Sequence, residues 1–156
     1  MNSVDTLIIS PKFHPLEDGL GQYTKHFYHS VKQEVSCAVL TSKKIKNVEE
    51  HENIYYEIDG WNWRFFNQIL NHIEKINPSN VLFQYVPFMY AKRGGINFSI
   101  IFLMIYLRLF SSKKIQIMYH ELNYPFQLNL KAIVMFLSHH LMLYGGLISS
   151  HSVFCS

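Results

Sequence analysis

Residues 4–31 read VDTLIISPKFHPLEDGLGQYTKHFYHSV, and the order of patterns within them decides the fold. Residues 4–10 (VDTLIIS) are short, apolar and rich in β-branched side chains, with Pro11 behind them, which predicts a buried strand. A Gly-containing loop, PKFHPLEDGLG, follows. From there Leu20, Tyr23, Phe27 and Val31 recur at spacings of three and four, the period that gathers side chains on one face of a helix. Strand, loop and helix in this order make the first half of a βαβ unit.

The alternation continues outward. Residues 35–41 (VSCAVLT) predict a second buried strand and residues 54–58 a short third one. Residues 61–76 carry Phe65, Phe66, Ile69, Leu70, Ile73 and Ile76 at helical spacing before Asn77-Pro78 stops them. Strand character returns at 81–86 and 115–119, with apolar helices expected at 98–110 and from Leu128 to about Ile148, and a last strand at 153–155. Strands that look uniformly apolar and alternate with helices are those of a parallel sheet covered on both faces. The fold class expected is α/β: a doubly wound, mainly parallel, Rossmann-like sheet with helices on both faces.

The chain of 156 residues is sized for one domain, residues 1–156. It is 49% hydrophobic and only 16% charged, against about 25% charged in ordinary soluble domains. Apolar surface must therefore face a core, a partner or lipid. The net charge of +3 is spread over short groups such as Lys113-Lys114, so no nucleic-acid partner is expected. Cys37 and Cys155 each lie in an apolar β-like run, which suits small buried thiols and a cytoplasmic setting. The N-terminus lacks the basic and apolar regions of a signal peptide. Residues 98–110 fall short of the roughly 20 needed to span a bilayer; residues 128–148 approach it but contain Lys131, His139-His140 and Gly145-Gly146, which favours a buried or interfacial helix.

Open parallel sheets bind ligands beyond the carboxyl ends of their strands, so three loops carry the functional expectation. In Asp18-Gly19-Leu20-Gly21-Gln22-Tyr23, glycines at a helix start let backbone N–H groups approach an anion, although neither a GxGxxG nor a GxxxxGK[ST] motif is present. In the segment Gln84-Tyr85-Val86-Pro87-Phe88-Met89-Tyr90, which leads to Arg93, amide and aromatic groups suit a sugar ring. In Tyr119-His120-Glu121-Leu122-Asn123-Tyr124-Pro125, His120 is the candidate for contact with a substrate hydroxyl or phosphate, with Glu121 to orient its ring or accept a sugar hydroxyl. This is not HExxH, and His26 with His29 lacks a third ligand, so no metal site is expected.

Taken in order, VDTLIIS, DGLGQYTKHFYHSV, VLFQYVPFMYAKRG, IQIMYHELNYP and SVFCS resemble the N-terminal half of GT-B glycosyltransferases, in particular the retaining family 4 enzymes that use nucleotide sugars. The resemblance implies a two-domain enzyme in cell-surface polysaccharide or glycolipid synthesis. By analogy Gly19, Leu20 and Gly21 approach the donor diphosphate, His120 lies near the transferred sugar, and Gln84, Tyr85 and Arg93 belong to the acceptor side. Where family members often have Gly-Gly-x-Gly, this chain has Asp18 at the first position, a carboxylate where a diphosphate would lie.

The resemblance also implies a donor-binding domain or subunit as the missing partner, a nucleotide sugar as donor substrate with no cofactor held by this domain alone, and a sugar or lipid-linked acceptor. The sequence then reads as a truncated enzyme, inactive by itself, with peripheral contact at the inner face of a membrane. Two alternatives stand beside it: a non-catalytic binding module that pairs with a separate donor-binding polypeptide, and a small membrane-associated protein. Restored transfer on mixing distinguishes the first, and extraction only by detergent the second.

Overall fold

The computed structural model describes residues 4–14, 19–43, 53–86, 88–91, 96–122 and 126–156. Six strands, β1 (Thr6–Ile9), β2 (Cys37–Ser42), β3 (Ile54–Ile58), β4 (Asn80–Tyr85), β5 (Lys114–Tyr119) and β6 (Ser152–Cys155), form one sheet in the order β3-β2-β1-β4-β5-β6. Every pairing is parallel, with Thr6 opposite Cys37 and Asn80, Tyr85 opposite Tyr119, and Tyr119 opposite Cys155. This is the doubly wound order, whose direction of travel reverses between β1 and β4.

The helices are α1 (Gly19–Val31), α2 (Phe66–Ile76), α3 (Ser99–Phe110) and α4 (Leu130–Ser149), with a single 3-10 turn (Trp63–Phe65) leading into α2. They divide between the faces of the sheet. Ile8, Val39, Leu82 and Met118 meet Tyr28 of α1, while Leu7, Ile9, Val81, Phe83 and Ile117 join the larger core with residues of α2, α3 and α4. Strand residues alternate between the two clusters because successive side chains point to opposite faces.

Several local boundaries have plain causes. Asn77 ends α2 in the left-handed region at φ 50°, its N–H bonded to the Ile73 carbonyl, and Pro78 cannot extend the helix. Asn129 caps α4, its side chain accepting from the Ala132 N–H at 2.8 Å. The helix expected over 61–76 forms only from Phe66, because the Asn62 side chain accepts from the Arg64 N–H and closes a tighter turn first.

Two expectations about burial are corrected. The buried line of α1 is Leu20, Gly21, Thr24 and Tyr28, with Tyr23, Phe27 and Val31 half-buried along its edge, so the inward face is rotated from the one the apolar spacing marks. The Thr24 hydroxyl can face inward because it donates to the Leu20 carbonyl at 2.8 Å. Cys37 is buried as expected, but Cys155 is exposed, at the carboxyl end of β6, which forms an edge of the sheet.

Candidate functional site

The strand order reverses between β1 and β4, the point at whose carboxyl edge open parallel sheets bind ligands, and α1 begins at that edge. Ser10, just past β1, reaches Thr24 of α1 at 3.3 Å and donates to the Lys12 carbonyl at 2.6 Å. In the first turn of α1, Gly19 is exposed and a methyl group placed on its Cα meets no described residue within 4 Å, whereas Leu20 and Gly21 are buried. The loop's Asp18 and the Arg93 of the expected acceptor side lie outside the described residues.

His120 stands one residue past β5. Its backbone N–H continues the ladder to the Tyr85 carbonyl at 3.1 Å, and its ring packs edge-on against Tyr23 of α1 with centroids 4.6 Å apart. Nε2 lies 2.5 Å from Oε1 of Gln84, and Nδ1 lies 2.8 Å from the hydroxyl of Ser156. The amide oxygen can only accept, so Nε2 carries the proton and Nδ1 accepts from Ser156. Burial holds the imidazole below its ordinary pKa, which keeps this neutral form at pH 7. Gln84 is 0% exposed, and its Nε2 has no hydrogen-bond partner among the described residues. A buried amide donor without a partner costs about 1–3 kcal/mol and calls for an explanation.

The sequence candidates separate here. Gln84 and His120 come together on the α1 side of the sheet. Tyr85, one residue on, joins the opposite core, where it packs edge-on with Tyr119 at 5.4 Å and lies parallel to Tyr90 at 6.2 Å. Its buried hydroxyl has no partner among the described residues, and desolvation raises its pKa well above the usual tyrosine value. Glu121 is exposed; among the described residues the hydrogen-bond partners of the His120 ring are Gln84 and Ser156.

Sequence reasoning missed a second feature of the same edge. A cavity of about 500 Å³ lies beyond β2, β3 and β4, lined by residues including Ser42, Asp59, Trp61, Asn62, Arg64 and Tyr90. Trp61 Nε1 donates to the Ser42 hydroxyl at 2.8 Å, which in turn donates to the Pro11 carbonyl at 2.7 Å. The Asp59 carboxylate is paired with Lys43 at 2.8 Å and accepts from Gln68 at 2.8 Å, and these partners hold its pKa below the ordinary value. The volume and the mixture of aromatic, amide and charged groups fit a sugar-sized polar ligand. Trp61, just after β3, is the signal that could have found it.

Among the described residues, no group of three or more His, Cys, Asp or Glu side chains is placed to hold a metal ion. His139 is fully buried in α4 with Nε2 3.1 Å from the Leu122 carbonyl, a structural position. No protein-family model matches the chain, and no curated protein matches it in sequence.

Proposed function

We infer that the chain is the acceptor-side half of a nucleotide-sugar-dependent glycosyltransferase, working with a separate donor-binding half in the synthesis of a cell-surface polysaccharide or glycolipid. The observation that carries this is the neutral His120, held by buried Gln84 at the reversal of strand order, with a hydroxyl on its other ring nitrogen. The Ser156 hydroxyl has the same donor chemistry as a sugar hydroxyl, and a ligand that displaced it would meet the same Nδ1 lone pair. His120 then orients an acceptor or transferred sugar rather than supplying a strong base.

The remaining roles follow from position. Above Gly19, at the positive end of α1, no described residue stands in the way of a diphosphate that the donor half would present. The cavity by Trp61 and Asn62 offers the acceptor a second contact. One sheet supplies one wall of such a cleft, and transfer needs anomeric carbon, leaving group and hydroxyl held together. The purified chain is therefore expected to turn over no UDP- or GDP-sugar, as read by nucleoside diphosphate release.

The test is an NMR titration of the 15N-labelled chain with oligosaccharides and with nucleotide sugars. Sugars are expected to shift the His120 ring and Gln84 side-chain resonances, and His120→Phe is expected to abolish saturable binding. Saturating sugar without any shift at His120 or Gln84 would overturn the assignment, as would sugar transfer by the chain alone.

A further inference from the structure

A second enclosure, of about 240 Å³, lies beside the middle of α1. The loop after β1 gives it Phe13 and His14, α1 gives Lys25, His29 and Lys32, and Ile54 closes it where β3 begins. Tyr23, which meets His120, and the line Lys25, His29 and Lys32 stand on opposite flanks of α1, because a step of two residues turns a helix by about 200°. The enclosure is therefore separate from the His120 site. Its walls are fixed: Phe13 is buried and packs edge-on against both Tyr28 and Tyr56, with centroids 6.2 Å apart in each pair. The Tyr56 hydroxyl donates to the His14 carbonyl at 2.7 Å, so the loop after β1 is tied to α1 on one side and to β3 on the other.

The lining brings two ammonium groups and two imidazoles together with no carboxylate among them. From Gly19 to Val31, α1 has no Asp or Glu at all. Among the described residues neither Lys25 nor Lys32 is in an ion pair. The Lys32 Nζ stands 5.4 Å from the centre of the Tyr28 ring, which holds its charge beside the enclosure. A second observation comes from His14. Its Nδ1 is shielded from water and has no hydrogen-bond partner among the described residues. Buried polar atoms are paired in the great majority of cases, so one left unpaired at the wall of a cationic enclosure points to a partner from outside the chain.

The size and charge say what that partner is. An enclosure this small has no room for a nucleic-acid strand or a polysaccharide, and a single carboxylate brings one charge and two oxygens to four cationic or N–H-bearing groups. A phosphate monoester brings a charge of about −1.5 to −2 and three strong acceptor oxygens. The rings of Phe13 and Tyr28 and the side chain of Ile54 offer its carbon body an apolar wall. We propose that this enclosure binds the phosphate group of a small soluble phosphate ester, with Lys25 and Lys32 as its charge partners, His29 beside them, and His14 donating through Nδ1. The site is distinct from the Gly19 end of α1 and does not depend on the glycosyl-transfer assignment.

The test is an NMR titration of the 15N-labelled chain with glucose 6-phosphate at constant ionic strength, with glucose as the control. The phosphate ester is expected to give saturable shifts of the His14, Lys25, His29 and Ile54 amides, and glucose none. Lys25→Gln/Lys32→Gln keeps good helix formers at both positions and is expected to weaken binding at least about tenfold with unchanged far-ultraviolet circular dichroism. Lys25→Arg/Lys32→Arg keeps the charges and is expected to retain binding. Absence of saturable shifts overturns the proposal, as do equal shifts with glucose or binding that Lys25→Gln/Lys32→Gln leaves intact. Shifts confined to Gly19, Leu20 and Gly21 also overturn it, and place the phosphate at the start of α1 instead.

Discussion

At the scale of single residues, His120 is the informative side chain. Its folded pKa is lowered by burial, as is that of His139, from an unfolded value near 6.5. The unfolded chain therefore binds more protons than the native one as pH falls past that value, so the stability these neutral rings contribute is present above about pH 6.5 and lost as pH falls through their folded pKa. Urea unfolding is expected to show lower stability at pH 5.5 than at pH 7.5, and a ring NMR titration to place the His120 midpoint below 6.5. A midpoint above 6.5 would contradict the neutral ring between Gln84 and Ser156.

The glycines make a contrasting pair. A Cβ at Gly146 would lie against the Tyr119 hydroxyl and 2.9 Å from Ile117, both in the packed interior, so Gly146→Ala is expected to cost about 1–3 kcal/mol by overpacking. At Gly19 an added methyl group meets no described residue, and Gly19→Ala is expected to change stability by no more than about 0.5 kcal/mol. Equilibrium denaturation of both variants checks this. A loss of sugar or diphosphate affinity in the stable Gly19→Ala variant would tie that position to ligand.

How much of this was legible in the sequence differs by residue. His120 could be found because a histidine just past an apolar strand falls at the binding edge of a parallel sheet. Its partners could not all be found: Ser156 arrives through the β5–β6 register, which pairs Tyr119 with Cys155, and register is a tertiary property. Grouping Gln84 with Tyr85 overlooked the period-two alternation that sends strand neighbours to opposite sides. The cavity beside Trp61 needed three strand ends to converge.

At the scale of elements, the strands were the easiest to read, because burial on both faces leaves a run such as residues 81–86 nowhere polar except at Gln84. The helices α3 and α4 were legible as helices but not in orientation. An apolar residue at nearly every position hides which line turns inward, and in α4 that choice falls to the small residues that admit Tyr119. Asn129 is the polar feature that fixes where α4 starts. Asn129→Ala is expected to cost about 1 kcal/mol, measured by thermal or urea unfolding, whereas Asn129→Asp should keep the cap.

At the scale of the whole molecule, the sheet holds most of the buried apolar contact, and α4 turns only Ala132 and Met142 of its apolar side chains, besides Gly146, fully inward. Native-state hydrogen exchange is expected to rank β1, β4 and β5 slowest, with α4 opening at lower free energy than the sheet it covers. Protection in α4 equal to that of β4 would show that the two open as one unit.

The same strand order has a kinetic side. β1 is synthesised first, yet one of its two neighbours, β4, lies beyond α1, β2, β3 and α2 in the chain, with Thr6 aligned on Asn80. The seam at the reversal of strand order is thus closed by a contact between distant parts of the chain, whose loop-closure entropy must be overcome before the central strands reward it. The β1–β2 hairpin-free crossover can form early; the β1–β4 seam sets the pace, and until it closes Ile8, Ile9, Leu82 and Phe83 are apolar edges open to the wrong neighbour.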